Sequence, residues 1–440
     1  MKLKQITLHN YRNFEQYTLK LGNVATILIG RNGMGKTNLL DAMVQSLSFI
    51  FSKQRDTEQY DFINSSSQGV KSFAADDPRY IPKLYYQYPI SISALGTFPY
   101  SENAASSPIS EGWEFVQESE KSGLKDSLFR DAYHHFWNYY NTRQEKPVLA
   151  YFSDGFPHAD NRITKKMREK IESGNPLPPN TGYYQWDSKL NSTEIWKLYY
   201  IQEWMNNRMN PNEEKQNFVN TVNCKMREFS SPISEDNRNS EIEIDELFVD
   251  VRGTKLTLMI RFVNGKENPF NLMPAGYRRM FSMVLDIICR SYFLNKHCDP
   301  EGVVFIDEID LHLHPSLAAE IFPRMRRSFP RLQFIASTHS PLVITNFNQS
   351  KGDEDDYRLY QLKKNDAGYY NERVYDIYGL DYNSGLTNYM STPISIGHID
   401  NLVKAYQYWK GEDETKAAQI ADMLISKYGK ESQVIKKLNL

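Results

Sequence analysis

The chain opens on an alternating pattern. Leu3, Ile6 and Leu8 stand among polar neighbours in a short strand-like run, and a second strand, Ala25 to Ile29, runs into a glycine-rich turn at Gly30 to Gly35. Beyond the turn the apolar period changes. Leu39, Leu40, Met43, Leu47 and Ile50 recur near helical spacing and predict a helix over Thr37 to Phe51. Strand, glycine turn and helix in this order open an α/β domain. Residues 52 to about 245 read less cleanly. Alternation in Tyr86 to Leu95 predicts a strand. Helices are predicted over Leu124 to Tyr140 and over Glu194 to Met209, the second with Leu198, Ile201 and Met205 on one face. Loops rich in Ser, Pro and Asn lie at Ser101 to Ser110, Ser173 to Thr181 and Ser230 to Ser240. No heptad pattern is sustained, so a long coiled coil is not expected.

The second half returns to α/β order. Ile242 to Phe262 predicts strands around a turn at Arg252-Gly253, and a long apolar helix follows over Arg278 to Leu294. Val303 to Ile306 is a short apolar strand ending in acids. A helix and another strand, Gln333 to Ala336, complete a βαβ-like unit. Ser350 to Asp356 is polar and acidic and reads as a loop. Two amphipathic helices end the chain. Ile399, Leu402, Tyr406 and Trp409 share one face of the first, and Ala417, Ile420, Ala421 and Leu424 one face of the second, which Gly429 ends. No internal repeat is visible. The pattern divides the chain into an N-terminal lobe at 1–100, a mixed, mostly helical insertion at 101–241, a C-terminal lobe at 242–349 and a helical tail at 350–440.

Composition narrows the class of protein. The 440 residues allow two or three domains, and 29 Tyr with 23 Phe favour a filled core over disorder. A formal charge of −2 gives no global field for nucleic acid. Cys224, Cys289 and Cys298 match neither a disulfide framework nor a common zinc spacing, which fits a reducing cytoplasm. The first 20 residues lack a signal-peptide core, and no apolar run reaches the roughly 18 to 20 residues of a membrane span. A soluble, cytoplasmic protein without a membrane partner is expected.

The chemistry concentrates at two places. Gly30-Arg31-Asn32-Gly33-Met34-Gly35-Lys36-Thr37 fits the Walker A pattern without mismatch. Its glycines let backbone N–H groups wrap around phosphates, and the helix that follows adds its positive end. Lys36 is expected to reach the β- and γ-phosphates of ATP, and Thr37 to hold Mg²⁺. Val303-Val304-Phe305-Ile306-Asp307-Glu308 fits Walker B: a buried strand delivering Asp307 to Mg²⁺ and Glu308 to the attacking water. His312 and His314 lie beside carboxylates, but no third metal ligand follows at normal spacing. Ser337-Thr338-His339-Ser340-Pro341 closes a strand one βαβ unit later, so His339 can reach the same crevice.

Together these motifs resemble the ABC-type ATPase head, a P-loop α/β fold, in its SMC, RecF and OLD branch. The run Ile6 to Phe14 resembles that branch's first strand, and Asp307 to Pro315 its "DExDxHLHP" stretch. The resemblance covers roughly residues 1–50 and 242–347. It implies ATP contacts from Arg12, Asn13, the loop Gly30 to Thr37 and Asn38. It also implies Asp310 as D-loop, and catalytic roles for Lys36, Glu308 and His339. Pro274-Ala275-Gly276-Tyr277-Arg278 stands at the signature position, which contacts ATP on an opposite subunit. Gly276 and Arg278 match, but Pro274 replaces the usual Ser, which puts the hydrolysis rate in doubt. The resemblance also implies a Q-loop glutamine; Gln68 and Gln87 are both candidates.

Lys146 to Tyr151 and the paired tail helices resemble ATPase subunits of bacterial antiphage systems, of the Septu PtuA type with PARIS AriA a neighbour. The residues left after the His339 strand lack the clustered acids of a nuclease domain. The implied protein is a homodimer or higher oligomer that senses or regulates a partner effector, a nuclease, with DNA or a phage component as a further partner. A RecF-like clamp acting on DNA and a non-catalytic, ATP-stabilised scaffold are the alternatives. Two basic clusters could meet DNA: Arg162, Lys165, Lys166, Arg168 and Lys170, and Arg324, Arg326, Arg327 and Arg331. Both read more readily as solvated helix faces. The run Tyr133 to Trp137 reads as core or interface. The tail, with Trp409 as anchor, is expected to form a partner or subunit interface.

Overall fold

In the computed structural model the described residues are 1–51, 71–98 except 83, 109–155 except 144, 163, 165–174, 177–187, 193–209, 213–233, 242–347 except 254, 355–375, 379, 398–410, 412–428 and 438. Met1–Leu380 form one compact unit and Asp381–Leu440 a second.

The first unit is built on a six-stranded sheet in the order Gly368–Arg373, Tyr357–Asn365, Ala25–Ile29, Leu332–Ser337, Gly302–Ile306, Val148–Phe152. The five strands from Tyr357–Asn365 to Val148–Phe152 are parallel, and Gly368–Arg373 turns back antiparallel at the edge. Every residue of Ala25–Ile29, Gly302–Ile306, Leu332–Ser337 and Val148–Phe152 is buried. Continuous apolar runs are what a parallel sheet covered on both faces requires.

A four-stranded antiparallel sheet lies beside it, in the order Phe14–Lys20, Lys2–Tyr11, Ile90–Phe98, Ile109–Gln117. Gln333 fastens the two sheets. Its side chain donates to the carbonyls of Leu3 (2.8 Å) and Gly22 (2.6 Å) and accepts from the Leu3 amide (2.8 Å), so a fully buried polar group is satisfied. The helix Lys36–Ser46 packs between Ile90–Phe98 and Leu332–Ser337, and Trp113 Nε1 donates to the carbonyl of Ser46 at its end (2.7 Å). Phe136 and Trp137 are buried, with Phe136 edge-on to Phe49 and Phe98, so this part of the aromatic run is core.

Three expectations change. Val148–Phe152, assigned to the insertion, is a strand of the central sheet. Five buried residues in one run carry no period, and their pairing partner Gly302–Ile306 lies about 150 residues away in sequence. Among the described residues, the tail assigned to 350–440 contains the hairpin Tyr357–Asn365 and Gly368–Arg373 ahead of the helices His398–Trp409 and Glu414–Tyr428. The second basic cluster is spent on the fold. Arg324 is buried and donates to the carbonyls of Phe229, Ser230 and Ser231 at 3.0, 2.6 and 2.8 Å. Arg327 donates to those of Glu228, Ser231 and Pro232 at 2.6, 2.6 and 2.9 Å. Together they cap the helix Glu213–Ser230, whose last carbonyls need donors. In the first cluster Arg162 lies outside the described residues, while Lys165 and Arg168 form i,i+4 pairs with Glu169 and Glu172 on an exposed helix.

The second unit contains the helices His398–Trp409 and Glu414–Tyr428, packed on each other through Tyr406, Ala417, Ala421 and Leu424. Trp409 is partly buried against this core and carries the Lys416 ammonium 4.0 Å from its ring centre. It therefore packs on the helix pair of its own unit and keeps part of its surface exposed. The side chain of Ile399 is outside the described residues. Among the described residues no helix is long and apolar enough to cross a membrane.

Candidate functional site

The carboxyl ends of the parallel strands converge on one place. Ala25–Ile29 leads into the loop Gly30 to Gly35, where Gly30, Gly33 and Gly35 have φ of 150°, 80° and 89°. At Gly35 a Cβ would lie 2.6 Å from both Asn13 Nδ2 and Phe14 Cζ, so only glycine fits. Arg31, Asn32 and Gly33 are exposed at the crest of the loop, with Met34 partly buried behind them. Lys36 lies beneath. Its Nζ donates to the carbonyls of Gly30 (2.8 Å) and Arg31 (3.3 Å). Burial lowers its pKa to about 8, against the opposing pull of Asp307 and Glu308.

From the strand Gly302–Ile306, separated from Ala25–Ile29 by Leu332–Ser337, comes Asp307. Its Oδ2 accepts from Thr37 Oγ1 at 2.7 Å and its Oδ1 from Ser337 Oγ. The same Ser337 hydroxyl accepts from the Glu308 amide at 2.8 Å. Glu308 holds the left-handed φ of 49°, which bulky residues rarely adopt. Its carboxyl is raised above the ordinary value by burial, then by Asp307, Asp154 and Asp310. Thr338 Oγ1 donates to Asp310, and His339 is lowered by burial and then by the nearby Lys36 charge. His314 accepts from the Ser316 amide (3.4 Å) as the N-cap of Pro315–Ser328.

The signature stretch opens the helix Ala275–Asn295, with Pro274 as N-cap and no side-chain cap. A Cβ on Gly276 would meet the carbonyl oxygen of His312 at 2.3 Å, so the helix start lies directly on the turn after Glu308. Tyr277 follows Gly276 in the first turn, partly buried, and Arg278 donates to the carbonyl of Asn271 (3.0 Å).

Several residues were missed in the sequence. Arg279 is fully buried and donates to the carbonyls of Ser153 (3.0 Å), Asp307 (2.7 Å) and Glu308 (3.3 Å), tying the signature helix to the carboxylate turn. Burial lowers its pKa to about 10 despite Asp307 and Glu308. Asp41 accepts from Arg12 (2.7 Å) and from Tyr151 Oη (3.0 Å). Arg12 also donates to Asp77 (2.9 Å) and Asn38 (2.9 Å), and Asn38 donates to Asn13 (2.8 Å). The first-strand turn is thereby stapled to the glycine-loop helix. A Tyr in an apolar run and a single Arg one turn into a helix carry no short-range signal for such contacts. Of the glutamines, Gln87 bonds the carbonyls of Leu84 (3.0 Å) and Tyr85 (2.9 Å) in its own turn, and Gln68 lies outside the described residues.

A parallel sheet whose central strand ends in a glycine loop, with an Asp-Glu pair at the end of a nearby strand, defines a P-loop ATPase head. The chain belongs to the AAA ATPase domain family, whose profile matches residues 1–223 and 185–344. It is 24% identical over 407 residues to the retron Vc95 probable ATPase of Vibrio cholerae serotype O1 biovar El Tor, covering 82% of this chain and 75% of that protein. A shorter stretch of 101 residues is 36% identical to the Septu protein PtuA of Bacillus mycoides, covering 23% of this chain and 14% of that protein. The solved SMC head domain from Thermotoga maritima aligns over 86% of this chain and 100% of its own, at 12% identity and a TM-score of 0.41.

Proposed function

We propose that the chain binds Mg-ATP and hydrolyses it to ADP and phosphate between two copies of the head, and that this cycle regulates a partner effector in antiphage defence. One observation carries the reading: Thr37 and Asp307, from sequence positions 270 residues apart, meet at 2.7 Å beside Lys36. Their oxygen donors suit Mg²⁺, a hard cation that takes one or two protein ligands and keeps the rest of its shell in water and phosphate. The glycine-loop amides and the Lys36 ammonium would hold the phosphates. Glu308 would orient and deprotonate the water that attacks the γ-phosphorus, and His339 would face the same phosphate. The retron and Septu relatives support a defence role with a separate effector, here proposed to be a nuclease. Arg324, buried, and Arg327, partly buried, are spent on the carbonyls at a helix end, which weighs against a clamp that grips DNA through that cluster. Pro274, which supplies no hydroxyl, favours the scaffold reading, in which ATP joins two heads without rapid turnover.

Shared sites are tested by mixing. Lys36→Ala damages the phosphate loop, and Ala275→Asp sets a carboxylate at the helix start that would face the partner's γ-phosphate. Gly276 is unsuitable, because any side chain there strikes His312 within its own chain. Each variant alone should be inactive. Mixed, they should recover up to about a quarter of wild-type ATP turnover, since statistical mixing leaves one intact site in half of the dimers. No recovery, with mixed dimers shown to form, would mean that each site lies within one chain.

The tail is proposed as the surface for the effector or for further copies. Removing residues 381–440 should preserve ATP binding by the head, because that segment forms its own compact unit. It should also abolish co-purification of the effector or reduce the oligomer, read by size-exclusion chromatography with light scattering. An unchanged assembly would refute the role of the tail.

A further inference from the structure

The signature helix Ala275–Asn295 has little support at its entry. Pro274 stands at the N-cap and offers no side-chain cap, and in the short turn Phe270–Leu272 ahead of it both Asn271 and Leu272 are exposed. A hold on this turn comes from the helix Thr193–Met209, some 75 residues earlier in the chain. Lys197 Nζ donates to Asn271 Oδ1 (2.5 Å) and to the Glu194 carboxylate, and it lies 5.6 Å from the ring centre of Phe270, the buried residue of the turn. The Asn271 carbonyl in turn accepts from Arg278 Nη1 (3.0 Å). Through one asparagine, Lys197 therefore reaches both sides of the signature stretch.

The platform under Lys197 is rigid. The preceding residue, Trp196, is fully buried and donates from Nε1 to Asp286 Oδ2 (2.6 Å), about three turns further along the signature helix, and its ring lies 5.5 Å from that of Phe293. Lys197 thus stands on a helix already fixed to the body of the signature helix, and it fastens the entry as well. The ammonium is costly where it is. Lys197 is 6% exposed, and burial lowers its pKa against the opposing pull of Glu194. Packing alone does not call for a cation here. An apolar side chain of similar length would avoid the desolvation, and it would leave only Asn271 and Glu194, both exposed, to be satisfied by water. The cost is offset if the charge sets where the signature turn stands.

We propose that Lys197 is a positioning residue for ATP turnover: by holding Asn271, and Arg278 through it, it presents the signature turn to the nucleotide bound on a second copy of the chain. This rests on the two-copy reading given above, and the test separates the two. In the full chain, Lys197→Met should melt no lower than wild type, keep ATP affinity close to wild type and lower kcat by about 10²-fold, the scale of a misplacement of roughly 1 Å. Asn271→Ala removes the acceptor on the exposed side and should repeat the pattern; it decides the matter if Lys197→Met fails to fold. The defect should also complement by partner. Mixed with Lys36→Ala, Lys197→Met should recover toward about a quarter of wild-type turnover, because one site then joins an intact phosphate loop to an intact signature. Mixed with Ala275→Asp it should recover nothing, because both signatures are then damaged. Wild-type kcat in Lys197→Met and Asn271→Ala overturns the proposal. So does recovery with Ala275→Asp in place of Lys36→Ala, which would set Lys197 to work on the nucleotide of its own chain. Failure of Lys36→Ala and Ala275→Asp to complement each other, with mixed dimers shown to form, overturns the two-copy reading itself.

Discussion

Glu308→Gln should leave ATP affinity close to wild type and lower ATP turnover by about 10²–10⁴-fold, the usual contribution of a general base. The substitution keeps the shape of the side chain and removes its basicity. It leaves the backbone of the turn intact, because Glu308 is held through its amide by Ser337 and through its carbonyl by Arg279. The surroundings suit proton transfer. Burial and three neighbouring carboxylates raise the Glu308 pKa, which makes the carboxylate a stronger base than one in water. The sign for pH follows. Turnover should fall as the pH drops through this raised pKa, so the acid limb should lie above the ordinary carboxylate range. That limb should vanish from the residual activity of the Gln variant. Steady-state phosphate release across pH, alongside nucleotide binding, decides the matter. Wild-type turnover in Glu308→Gln would remove Glu308 from the mechanism.

The two halves of the site were legible because each is contiguous. Gly30 to Thr37 and Val303 to Glu308 are local runs whose chemistry depends on spacing within a few residues, and flanking apolar periods placed them on a strand, a turn and a helix. What remained hidden was made by long-range pairing. Val148–Phe152 joins the sheet only through Gly302–Ile306, and Tyr357–Asn365 joins it through Ala25–Ile29. Their own sequences are a short apolar run and a run of mixed tyrosines and lysines, neither of which announces a place in the main sheet. Arg279 and Arg324 show the same limit for side chains. Each is one charge among several in sequence, and burial against carbonyls from distant segments sets it apart. Gly276 was noticed as a candidate for contact with a partner, yet the structure gives it a duty within its own chain, against His312. Sequence position could not have separated these two roles.

Lys36→Ala should abolish measurable ATP binding, a loss of about 100-fold or more, since charge-assisted hydrogen bonds contribute roughly 1.5–3 kcal/mol each and this ammonium would face two phosphates. The variant should remain folded, for a reason visible in the nucleotide-free protein. Lys36 is buried, and its folded pKa of about 8 lies below the ordinary 10.5. A lysine depressed in this way binds its proton less tightly in the folded state than in the unfolded state. It therefore weakens the nucleotide-free fold below about pH 8, and that penalty fades as the pH rises from about 8 toward 10.5. Removing the side chain removes the penalty, although the carbonyls of Gly30 and Arg31 lose their donor. At pH 7 the melting temperature of Lys36→Ala without nucleotide should thus be no lower than that of wild type. Added Mg-ATP should raise the wild-type melting temperature, since a ligand that binds only the folded state stabilises it, and should leave the variant unmoved. Lys36→Arg should not restore the shift, because the planar guanidinium cannot take the place of a compact ammonium under the loop. A wild-type shift in Lys36→Ala would refute the phosphate-binding assignment, whereas a collapsed melting temperature without nucleotide would refute the account of its burial.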